Sequence, residues 1–100
     1  MAIAYVQEFD AGSDRTTTNY DWVAERLGVE SDPPKGCIVH TAGFDGDTFR
    51  IFEVWESEAA WERFRDERLT PLVQELMGSG AAGGPPARES TYELHDVFRP

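Results

Sequence analysis

Cysteine is almost absent. Cys37 is the only one, so no disulfide can close within the chain, which fits a reducing cytoplasm. Lysine is as rare: Lys35 stands alone, and nine basic residues face nineteen acidic ones for a net charge of −10. A surface so acidic repels phosphate backbones and anionic headgroups, which disfavours nucleic acid and membrane as partners. No apolar run approaches the roughly 18 residues of a spanning helix. Glu8 and Asp10 also come too early for a secretory signal. The expectation is a cytoplasmic protein.

What is present is enough for a core. At 40% hydrophobic and 12% aromatic residues, the composition is too rich for a disordered chain. One hundred residues make a single domain, 1–100. A chain of this length buries only roughly 60–65% of its unfolded surface, so self-association is an obvious way to thicken the core.

Ala2 to Phe9 is rich in β-formers and reads as the first strand, ended by Asp10-Ala11-Gly12-Ser13-Asp14. Thr16 to Thr18 offer N-caps to a first helix whose apolar stripe is Tyr20, Val23, Ala24 and Leu27, with Gly28 placed to end it. Pro33-Pro34 make a loop of residues 29–36. Gly36 to Phe44 and Asp47 to Trp55 read as a hairpin around Asp45-Gly46, the pair that a type I′ turn favours. Ser57 caps a second helix with Trp61, Phe64 and Leu69 on its buried side. Pro71 predicts a kink or restart there, with Thr70 as the new N-cap. Gly78 to Ala87 reads as a flexible linker, and Ser90 to Phe98 as the fourth strand. The order βαββαβ predicts a ferredoxin-like α+β fold with an antiparallel sheet.

A two-residue turn at Asp45-Gly46 pairs Ala42 with Phe49, His40 with Ile51 and Ile38 with Glu53. A four-residue turn would shift this register by two and leave the faces unchanged. One face then carries Ile38, His40, Ala42, Phe49, Ile51, Glu53 and Trp55, and the other Cys37, Val39, Thr41, Thr48, Arg50, Phe52 and Val54. Two helices cover one face, and the second set suits them. The first set needs another cover, and a second copy of the chain is the simplest. On that face His40 and Glu53 are diagonal neighbours among apolar residues. Such a pair is either a satisfied structural contact or a site for chemistry.

The run Val54-Trp55-Glu56-Ser57-Glu58, then Phe64, Leu69 and Pro71, with Tyr20-Asp21, Leu27-Gly28 and His40, resembles small actinobacterial members of the dimeric α/β-barrel superfamily. These are grouped with the antibiotic biosynthesis monooxygenases. The resemblance covers nearly the whole chain. It implies a homodimer with a pocket for a small-molecule ligand, and an activity among those of cofactor-free oxygenases of polyphenolic anthrones, haem-degrading enzymes and small isomerases. The haem branch fits least, because it needs a histidine on a helix and His40 and His95 both fall on predicted strands.

Oxygenation without a cofactor requires a substrate that becomes an electron-rich phenolate or enolate and passes an electron to dioxygen. The protein then supplies a base, a dry aromatic pocket and stabilisation of the anion. His40 is the candidate base, since histidine titrates near neutrality, and Glu53 orients it. Trp55, Trp61, Phe49, Tyr5 and Ile51 are the candidate substrate-binding residues. The competing expectation is a non-catalytic small-molecule-binding or structural homodimer. A metal site from His40, Glu53, His95 and Asp96 lacks any ligand pair at helical or zinc-ribbon spacing, and no nucleophile elbow is present. The chain is therefore expected to work with neither metal nor cofactor.

Overall fold

The computed structural model describes residues 1–80 and 84–100. Four strands form one antiparallel sheet in the order β2-β3-β1-β4, with β1 at Ile3–Asp10, β2 at Cys37–Asp45, β3 at Thr48–Trp55 and β4 at Arg88–Glu93. Between β1 and β2 lies α1 (Thr18–Leu27). Between β3 and β4 the chain runs through α2 (Glu58–Phe64), a π-helical turn (Arg65–Leu69) and α3 (Thr70–Gly78). This is the ferredoxin-like α+β arrangement expected from the sequence.

Local signals explain most boundaries. Gly28 closes α1 in the left-handed conformation at φ 60°, and its N–H reaches Ala24 O. Ser57 starts α2 from an extended backbone, and its hydroxyl accepts from the Ala60 N–H at 3.1 Å. The Thr17 hydroxyl, at the matching place before α1, instead donates to Asp21 Oδ2 at 2.8 Å. The part of the expected linker at residues 81–83 lies outside the described residues.

Four expectations are corrected. First, Asp45 pairs with Thr48, so the turn is Gly46-Asp47 rather than Asp45-Gly46. Only Gly46 has positive φ, at 58°, the glycine-first pattern of a type II′ turn. His40 therefore stands directly opposite Glu53, not diagonal to it.

Second, the helices cover the other face. Trp61 and Phe64 of α2 pack with Ile3, Tyr5 and Trp55 in the core, and Tyr20 of α1 meets Phe49 edge-on with centroids 5.4 Å apart. The set carrying Trp55, Glu53, Ile51 and Phe49 thus faces the helices. The apolar set Cys37, Val39, Phe52 and Val54 suited the helices as well by composition, and hydrogen-bonded polar groups such as Glu53 and His40 can be buried at little cost. A bulge between Cys37 and Val39 also moves Cys37 opposite Trp55 and onto the core.

Third, the backbone stays helical through Thr70 (φ −56°, ψ −43°), which is no N-cap. The expected restart is present, since α3 begins at Thr70 with Pro71 in its first turn, but it follows a widened turn in which the Thr70 N–H reaches back five residues to Arg65 O. The looser turn makes room ahead of the Pro71 ring, which would otherwise meet a carbonyl of the preceding turn.

Fourth, β4 begins at Arg88 and ends at Glu93. Glu93 pairs with Ile3 at the start of β1, so little partner backbone remains beyond it. Leu94 makes one more hydrogen bond, to Ala2 O at 2.9 Å. His95 lies after the strand rather than within it.

The opposite face of the sheet carries Ala4, Val6, Val39, Thr41, Phe52 and Val54, and among the described residues the core helix α2 packs on the other side. The C-terminal residues from Val97 to Pro100 lie along one edge of this opposite face. With Ile38, Val39 and Val54 they bound a concavity of about 410 Å³.

Candidate functional site

Glu53 is 7% exposed, the only charged residue buried among the described residues. Its position follows from the strand period: Trp55 is in the core, and residues two apart share a face. Both carboxylate oxygens are used. Trp55 donates its indole N–H to Oε1 at 3.1 Å, and Oε2 is bonded to His40 Nδ1. Cross-strand pairing of β2 and β3 brings the last two residues together.

The far side of the imidazole is also engaged. Tyr20, in the first turn of α1, places its hydroxyl 2.6 Å from His40 Nε2, with the two rings within 12° of parallel. A carboxylate can only accept, so Nδ1 carries the proton that bonds Glu53. In the neutral imidazole Nε2 is then bare and accepts from the Tyr20 hydroxyl. Tyr20, His40, Glu53 and Trp55 make one directed chain, running from the half-exposed rim beside α1 into the core. Burial, then the negative charges of Glu53 and Asp21, push the Tyr20 phenol above its ordinary value and hold it protonated.

Aromatic rings flank this chain on both sides. Inward, Tyr5 stacks on Trp61 at 4.0 Å, and Trp55 meets Trp61 at 5.7 Å and Phe64 at 5.2 Å. Outward, Phe49 contacts Tyr20, Phe44 at 5.0 Å and Phe9 at 6.5 Å, while the Arg15 guanidinium lies 4.7 Å over Phe44. Tyr5 also donates to Glu89, which with burial pushes its phenol far up. Burial and the Glu53 charge push the Cys37 thiol up as well.

Of the residues singled out from the sequence, His40, Glu53 and Trp55 are joined by hydrogen bonds. Tyr5 and Trp61 lie beside them within the packed core. Phe49 belongs to the outer rings, and Ile51 is half-buried opposite Ala42 on the same face. Tyr20 entered the sequence reading as part of an apolar stripe and of the family resemblance, not as a site residue. Its signal was available: it is the one residue of that stripe with a hydroxyl. Neither of two concavities, of about 250 Å³ at the hairpin end and about 410 Å³ at the C-terminal edge, is lined by His40 or Glu53. No three histidine, cysteine or carboxylate side chains converge on a metal position among the described residues.

No protein-family profile matches the chain, and no curated protein matches it in sequence. Solved structures do match it in shape. Rv0793 from Mycobacterium tuberculosis superposes with a TM-score of 0.70 at 14% identity, over 99% of this chain and 100% of that one. A proposed antibiotic biosynthesis monooxygenase from Chloroflexus aurantiacus gives 0.68 at 11% identity, over 99% and 98%. SnoaB, a cofactor-independent oxygenase from Streptomyces nogalater, gives 0.64 at 13% identity, over 97% and 96%. The chain has the ferredoxin-like fold of the antibiotic biosynthesis monooxygenase-like proteins.

Proposed function

We propose that this chain is an acid–base enzyme acting on a small aromatic or polyketide-like molecule, as a cofactor-independent monooxygenase or a related catalyst. One observation carries the reading. A buried carboxylate fixes the His40 imidazole, so that its second nitrogen is directed to the rim of the site. Abstracting an acidic proton from a phenol or enol leaves an electron-rich anion, and dioxygen is the oxidant that takes an electron from it. Glu53 balances the imidazolium that forms. The flanking rings offer an aromatic substrate an apolar setting. The working form is a cytoplasmic homodimer of a single-domain chain. An apolar sheet face on the side away from α2 supports the dimer, and a single cysteine suits a reducing compartment.

The test uses 1,8-dihydroxyanthrone in air, with neither metal nor cofactor added. The wild-type protein should form the quinone well above the rate in buffer. His40→Ala should lose about 100-fold or more of that rate, within the range for a removed general base, while its circular dichroism at 25 °C is unchanged. A wild-type rate no faster than buffer would sink the enzymatic reading.

The rival reading is a non-catalytic binding or structural dimer. It draws on one feature: neither concavity of the single chain is lined by His40 or Glu53. In that case His40→Ala and Glu53→Gln should both lower the melting temperature and leave ligand affinity intact.

A further inference from the structure

We propose that Tyr20, not His40, is the group that exchanges a proton with the substrate, the phenol acting as the outer member of a Tyr20–His40–Glu53 relay. This rests on the acid–base reading above and deepens it. The geometry is specific. Nδ1 of His40 is committed to the buried Glu53 carboxylate, and Nε2 already receives the Tyr20 hydroxyl at 2.6 Å. A substrate proton cannot reach either imidazole nitrogen while those bonds hold. Tyr20 is half-buried and His40 exposed, so the outer end of the chain of bonds is open, and the second lone pair of the Tyr20 oxygen is the acceptor left there for a ligand.

The proton count closes without any further reagent. At rest Tyr20 is a phenol, His40 is neutral with its proton on Nδ1, and Glu53 is a carboxylate. As the substrate X–H bond breaks, its electron pair stays on the substrate and its proton passes to the Tyr20 oxygen. The original Tyr20 proton moves to His40 Nε2. The products are the substrate anion, a regenerated phenol and an imidazolium paired with Glu53. Reversal returns the proton to a product anion. The arrangement follows the logic of hydroxyl–imidazole–carboxylate triads, with a phenol in the hydroxyl position and proton transfer in place of nucleophilic attack. His40 stands between the Glu53 carboxylate and the Tyr20 hydroxyl, and so gives Tyr20 an acceptor for its own proton.

The experiment compares Tyr20→Phe with the wild type. Phenylalanine keeps the ring against Phe49 and removes only the oxygen. Proton exchange of 1,8-dihydroxyanthrone into deuterated water under nitrogen isolates the acid–base step, and quinone formation in air reads the whole reaction. Tyr20→Phe should lower kcat of both about 100-fold or more, with KM changed less than threefold. A variant retaining more than a third of the wild-type kcat overturns the relay while leaving His40 as the base. Loss of activity in the wild type itself overturns the enzymatic reading, and the relay with it, so the two failures differ. A second readout is independent of turnover. The 15N spectrum of the wild type should show His40 with Nδ1 protonated and Nε2 as a hydrogen-bonded acceptor. Tyr20→Phe should move the Nε2 resonance and leave Nδ1–H in place. An Nε2-protonated tautomer in the wild type, or an Nε2 resonance unmoved by the substitution, also overturns the proposal.

Discussion

Trp55 donates its indole N–H to Glu53 Oε1 at 3.1 Å, from two positions further along the same strand and on the same face. Trp55 is 1% exposed and packed against Trp61 and Phe64, so it cannot turn away. The core therefore grips the carboxylate, the carboxylate sets the imidazole tautomer, and the imidazole receives the Tyr20 hydroxyl.

Trp55→Phe should break the first link of that chain. A hydrogen bond to a charged group contributes about 2 kcal/mol, and the smaller ring adds a packing loss. A fall in melting temperature of about 10 °C is expected for a chain of this size. The His40 15N resonances should broaden as Glu53 gains freedom. A melting temperature within about 2 °C of wild type would mean the indole bond contributes little to the folded state.

Alkaline pH should destabilise the protein through Tyr5. Burial comes first, then the hydrogen bond to Glu89 and the charges of Glu89 and Glu53, in raising that phenol far above 10.0. The folded state keeps the Tyr5 proton where the unfolded chain releases it. Stability is thus complete below about pH 10 and declines as pH rises further. Tyr20, raised by burial and by Glu53, acts with the same sign. Urea midpoints should hold steady up to about pH 9 and fall from about pH 10 upward, with a flatter decline in Tyr5→Phe. A midpoint that rises across that range contradicts the linkage.

Gly36→Ala should be strongly destabilising. Gly36 has φ 90°, and a Cβ there would lie 2.6 Å from the Ala60 side chain. Its carbonyl also accepts from the Glu56 N–H at 2.8 Å, which joins the start of β2 to the end of β3. Positive φ costs a residue with a side chain about 1–2 kcal/mol, and the clash with α2 adds overpacking of about 1–3 kcal/mol. Chemical denaturation that finds less than about 1 kcal/mol would count against this packing.

Self-association should depend on the open face. Val39 is 41% exposed there beside Phe52 and Val54, and a second copy is the proposed cover. Sedimentation at micromolar concentration should return twice the 11.2 kDa chain mass for the wild type. Val39→Asp should return the single mass with an unchanged circular dichroism spectrum. A wild-type monomer throughout would remove the homodimer from the proposed function.

Much of this was legible in one dimension. The βαββαβ order followed from period, caps and turns, and Gly28 and Ser57 end and begin their helices through bonds that span only a few residues. The shared face of His40, Glu53 and Trp55 was equally accessible, because the hairpin closes locally and a shift of register by two preserves parity.

Other features arose only when distant segments met. Which face the helices cover depends on α2 packing Trp61 and Phe64 onto Trp55, and on a bulge that turns Cys37 inward. Both strand faces carry apolar residues, so composition alone could not choose between them, nor register that Glu53 is satisfied by Trp55 and His40. Pro71 announced a helix restart, and α3 does begin there, but the widened turn that precedes it and takes the place of an N-cap at Thr70 was not legible in the sequence. Tyr20 reaches His40 across twenty residues of sequence, and no periodicity within α1 distinguishes a core tyrosine from one whose hydroxyl meets an imidazole. Short-range signals are written in the chain because they obey backbone geometry alone. The partner of a polar side chain is decided by tertiary packing, and it is that packing which turns three scattered residues into a connected site.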